Sequence, residues 1–76
     1  MNKNRRDLLK RAVSALETAE GYVNTALDQE QDCFDNLPEN LEGSERYEKM
    51  EAAIEKLEEA IENIDGAKTC IEEASK

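Results

Sequence analysis

The sequence predicts an all-α protein: an antiparallel two-helix hairpin that dimerises into a four-helix bundle. Three observations carry this expectation. Apolar residues recur at steps of three and four in two long segments, the mark of one stripe on one helix face. The single proline lies between the segments. At 1.5 Å per residue both segments come to about 45–48 Å, so they can lie side by side over their whole length.

The first helix is expected from about residue 4 to about residue 34. Asn4 offers an N-cap, with Asp7 three residues on as a weak capping-box partner. Leu9, Ala12, Leu16, Ala19, Val23 and Ala26 form its seam, widened by Leu8, Val13 and Leu27 and flanked by Tyr22. Cys33 is expected in the seam as a small buried apolar residue, and Cys70 beside the stripe of the second helix. Gly21 falls opposite the stripe, where its cost is mainly propensity, about 1 kcal/mol relative to Ala. Three seam alanines allow the backbones to approach closely.

The connection is DNLPENLEG, residues 35–43. Pro38 cannot sit inside a helix and drives Leu37 toward an extended conformation. A short helical turn over Pro38–Leu41 is expected, with Phe34, Leu37 and Leu41 folding back to close the apolar seam. Gly43 and Ser44 read as a turn followed by an N-cap, and Glu45 suits the positive end of the next helix.

The second helix, about residues 44 to 75, carries the clearest pattern. Tyr47, Met50, Ile54, Leu57, Ile61, Ile64 and Ile71 form its stripe, and Lys68 is the one skipped place. Ala53, Ala60, Ala67 and Ala74 run beside it at a seven-residue period. A single 76-residue domain seldom builds a core worth more than about 3–5 kcal/mol unaided. With no His and only two Cys a metal staple is not expected, so a second copy is the natural source of further burial.

Formal net charge is −9, unevenly placed. Lys3, Arg5, Arg6, Lys10 and Arg11 crowd the first eleven residues against Asp7 alone, while the rest of the chain is strongly acidic. Bulk acidity argues against direct nucleic-acid binding and against an anionic membrane surface. No apolar run reaches the length of a membrane span and no leader pattern is seen, so the chain reads as cytoplasmic.

The chemistry of catalysis is scarce. His is absent, Ser14, Ser44 and Ser75 have no partner base at a recognisable spacing, and no phosphate loop is present. Neither an enzyme nor a cofactor is expected. Cys33 and Cys70 would lie at opposite ends of a hairpin, far beyond disulfide reach. Asp28, Glu30, Asp32 and Glu39 mimic the spacing of a calcium loop, but Cys33 stands where the loop needs Gly and Pro38 adjoins the last ligand. They read as a solvated helix end.

Two charged clusters remain. Glu51, Glu55, Glu58, Glu59, Glu62 and Asp65 form an acidic ridge broken only by Lys56. Its plain reading is a solubilising face; its sharper reading is a surface for a basic protein, or a mimic of nucleic-acid phosphates. Arg5, Arg6, Lys10 and Arg11 either pair with Glu72 and Glu73 across the hairpin or, gathered from several chains, hold an anionic ligand.

The stretch NLPENLEGSERYEKMEAAIEKLEEAI, residues 36–61, resembles a group of small, mostly uncharacterised helical proteins of bacteriophages and prophages of Firmicutes and gut bacteria. They share an NLPE-x-L-x-x-SER turn before an acidic M-E-x-x-I-x-x-L helix. The resemblance implies a phage or mobile-element origin, with the host cytoplasm as its setting, and transfers no activity.

The function expected is that of a non-enzymatic accessory protein binding a host protein, with anti-defence roles among the candidates. Contacts would come from the acidic ridge and from Phe34, Leu37 and Leu41 at the turn. One alternative is an oligomeric binder that sequesters an anionic signalling nucleotide through Arg5, Arg6, Lys10 and Arg11. A structural component of a phage assembly ranks third, because the long continuous heptads of a filament are lacking.

Overall fold

A computed structural model describes the whole chain, residues 1–76. It is all-helical: α1 spans Lys3–Asp35, a single 3₁₀ turn spans Glu39–Leu41, and α2 spans Glu45–Ala74. The two helices pack as an antiparallel hairpin measuring 59 × 15 × 13 Å.

Asn2, rather than Asn4, caps α1: its side-chain oxygen accepts the Arg5 backbone N–H at 2.9 Å. Asn4 lies inside the first turn, so the cap stands two residues earlier than expected. At the other end the Asn36 side chain donates to the Asp32 carbonyl at 2.7 Å, satisfying one of the orphan acceptors of the last turn.

Pro38 then forces the break. The 3₁₀ turn closes through Leu41 N–H to Pro38 O at 2.9 Å and Glu42 N–H to Glu39 O at 3.1 Å. Gly43 adopts φ +78°, the left-handed conformation that carries a Cβ penalty for other residues. Ser44 caps α2 by accepting the Tyr47 backbone N–H at 3.2 Å. Glu45 and Glu48 stand in the first turn, where their charge suits the helix dipole.

The seam of α2 follows its sequence stripe. Met50 and Ile54 are buried, and Tyr47, Leu57, Ile61, Ile64, Lys68 and Ile71 are half-buried around them. Phe34 meets Tyr47 with ring centroids 4.8 Å apart, and Leu37 and Leu41 are half-buried near this end.

The seam of α1 differs from the expected one. It comprises Leu9, Ala12, Val13, Leu16, Glu20, Val23, Leu27, Glu30, Gln31 and Phe34, all half-buried, so Val13 and Leu27 widen it as expected, while Ala19, Ala26 and Cys33 are exposed. Leu8 is exposed as well, so it does not widen the seam. The reason is area: turning the helix to seat Leu27 and Val13 in place of Ala26 and Ala19 hides several more methylene groups, each worth about 0.8 kcal/mol. Only one seam position of α1 is therefore an alanine, Ala12.

Candidate functional site

A charged lock crosses the middle of the seam. Lys68 reaches Glu20 of α1 at 3.0 Å and Asp65 of its own helix at 3.4 Å. The Lys68 and Glu20 side chains are 19% and 17% exposed, against 58% for Asp65. Hydrogen bonding to Glu20 raises the Lys68 pKa above its ordinary value of 10.5, assisted by Asp65 and opposed by desolvation. The Asp65 carboxyl is held below its ordinary 3.8, first by side-chain hydrogen bonding involving Glu20 and then by Lys68, against desolvation. Lys68 was visible in sequence as the skipped stripe position. Glu20 gives no such signal, because the alanines of α1 fit a seam that leaves it outside.

Of the six ridge acids, two are already engaged: Asp65 by Lys68, and Glu59 by Lys56 at 3.1 Å. Glu51, Glu55, Glu58 and Glu62 are exposed and make no ion pair. With Asp65 they step by four and three residues, so they lie in one line along α2. Helical rotation of about 100° per residue places this line on the same side of the hairpin as Lys10 and Asp28 of α1. The groove of about 250 Å³ that Leu9, Lys10, Val13, Glu72 and Ser75 line opens on that side too.

The N-terminal cations behave differently from the expected cross-hairpin pairing. Arg5, Arg6, Lys10 and Arg11 are exposed, and none lies within ion-pair distance of Glu72 or Glu73. Lys10 and Glu72 instead stand among the residues of the groove. Asp28, Glu30 and Asp32 lie in unbroken helix, and nowhere do acids or thiols gather into a group able to hold a metal ion. The turn residues Phe34, Leu37 and Leu41 are half-buried, so part of their apolar surface is spent on the end of the seam. No helix is long and apolar enough to cross a membrane.

No protein family, curated protein or solved structure matches the chain.

Proposed function

We propose that this chain is a dimeric, non-enzymatic binding module of the bacteriophage or prophage type, with two hairpins forming a four-helix bundle that presents its acidic line to a basic surface on a host protein. The single observation that supports this reading is the line itself. Glu51, Glu55, Glu58 and Glu62 are exposed, unpaired and in register. Like charges at i, i+4, as in Glu51–Glu55 and Glu58–Glu62, cost about 0.2–0.5 kcal/mol each. A merely soluble surface is reached more cheaply by interspersing lysines, as Lys56 and Lys49 do elsewhere on α2.

The test is capture from bacterial lysate with wild-type protein and with Glu51, Glu55, Glu58 and Glu62 all changed to Lys. A basic protein retained by the first, released by moderate salt and lost by the second, with helicity unchanged, agrees with the proposal. The same proteins retained by both would contradict it.

One observation favours a second reading: Arg5, Arg6, Lys10 and Arg11 are all free of ion pairs. In an oligomer they could hold a phosphate-rich signalling nucleotide. Calorimetry against a nucleotide panel decides it. Micromolar titration supports the reading, and no heat from any member removes it.

A further inference from the structure

Beyond its seam, α1 carries a second apolar line that its own hairpin leaves open. Leu8, Ala15, Ala19, Tyr22, Ala26 and Cys33 are all exposed, Leu8 at 53% and Tyr22 at 75%. They step by sevens, fours and threes, about 100° round the helix from the seam. The same helical geometry puts the alanine column of α2 on this side of the hairpin, opposite the acidic line. One broad side of the molecule is thus mostly apolar or small, with the exposed Lys49 and Lys56 beside the alanine column, and the other is charged.

Both lines are symmetric, and about the same level. On α1 the centre falls between Glu20 and Gly21: Ala19 mirrors Tyr22, Ala15 mirrors Ala26, and Leu8 mirrors Cys33. On α2 it falls between Asn63 and Ile64: Ala60 mirrors Ala67, and Ala53 mirrors Ala74. The hairpin sets these centres side by side, since Phe34 meets Tyr47 at one end and Leu9 and Val13 share the groove with Glu72 and Ser75 at the other. A two-fold axis crossing the hairpin at that level superposes each line on its own reverse, which is what an isologous contact requires.

We infer that the occupant of this side is a second copy of the chain, with α1 antiparallel on the partner's α1 and α2 antiparallel on the partner's α2. At each end the antiparallel pairing brings the net basic start of α1 level with the partner's net acidic end, a long-range preference over the parallel pairing, since Lys10 and Asp28 themselves lie on the opposite side of the hairpin.

The exposed area agrees. The chain shows 5731 Å² to solvent. A compact monomer of 8.6 kDa exposes about 4,700 Å². The excess, about 1,000 Å², is close to the ~800 Å² each partner buries in a standard interface. Alanine at Ala15, Ala19 and Ala26 lets the two α1 backbones approach to about 8 Å.

This arrangement rests on the dimer proposed above, and thiol cross-linking separates the two. In Cys70→Ser protein, Cys33 is the sole thiol, and the partner's Cys33 lies at the far end of the bundle, so mild oxidation leaves the chains uncoupled. Adding Leu8→Cys sets a thiol opposite the partner's Cys33, and oxidation then gives a covalent dimer. Tyr22→Glu, at the centre of the interface and clear of the hairpin's own seam, weakens dimerisation at least about tenfold in sedimentation while helicity stays constant. A Cys33–Cys33 dimer in the Cys70→Ser protein overturns the antiparallel register. So does a sedimenting dimer that Leu8→Cys fails to cross-link, or one indifferent to Tyr22→Glu, and in each of these cases the dimer itself stands. A chain that sediments as a monomer at every concentration overturns both.

Discussion

Lys68 is the one charged residue in the seam of α2, Glu20 stands between Leu16 and Val23 in the seam of α1, and the two meet. Both are largely covered, so removing one partner strands the other. Lys68→Met is expected to lower the melting temperature, and Lys68→Met combined with Glu20→Leu to recover it or exceed wild type. Equal melting of the single and double variants would show that the pair is energetically idle. The pH dependence follows from the two shifts. The Lys68 pKa is raised in the folded chain, so its contribution is complete below 10.5 and is lost as pH climbs past the folded value. The Asp65 pKa is lowered, so its contribution is complete above 3.8 and is lost as pH falls through the folded value. Thermal melts on either side of those two values should show wild type losing more stability than Lys68→Met at the alkaline end. Parallel curves would contradict this.

Two glycines give opposite signs for the same substitution. A Cβ at Gly43 or at Gly21 meets nothing within 4 Å. At Gly43 the φ of +78° makes Gly43→Ala destabilising by about 1–2 kcal/mol. At Gly21, in mid-helix, Gly21→Ala stabilises by about 1 kcal/mol. Chemical denaturation of the two variants checks both signs at once.

Among the elements, α2 and the turn were legible from the chain and the phase of α1 was not. Bulky residues at every seam position but one gave α2 a single reading, and Pro38, Gly43 and Ser44 each impose one local geometry. Helix α1 offered two phases that share Leu9, Leu16 and Val23. One adds Ala19 and Ala26; the other adds Val13, Glu20 and Leu27. Alanine fits either face at little cost, and Glu20 disguises the better-packed phase because its partner, Lys68, lies 48 residues away. The misplaced alanines and Cys33 turned out to form the open line. For the seam itself, Ile54→Ala is expected to cost about 2 kcal/mol, the low end for a buried aliphatic because neighbouring positions are only half-covered. Ala19→Ser, outside the seam, should leave the stability of the isolated hairpin within about 0.5 kcal/mol.

At the scale of the whole molecule, two helices bury too little to be comfortable alone. Only Met50 and Ile54 are buried, and the radius of gyration of 17.4 Å far exceeds the ~11 Å of a compact chain of this length. The sidedness of the hairpin suits the proposed division of labour, with a small, apolar side for a second copy and a charged side for a partner of another kind. The acidic line was legible as a cluster in sequence, whereas its place opposite the alanine column emerged only once the hairpin register was known.

Small-angle X-ray scattering on the wild-type protein, calibrated for mass, tests this account most directly. A hairpin dimer predicts a maximum dimension close to the 59 Å of one hairpin together with twice the 8.6 kDa mass of one chain. A maximum dimension near the ~110 Å of one continuous helix, or the mass of a single chain at every concentration, would contradict it.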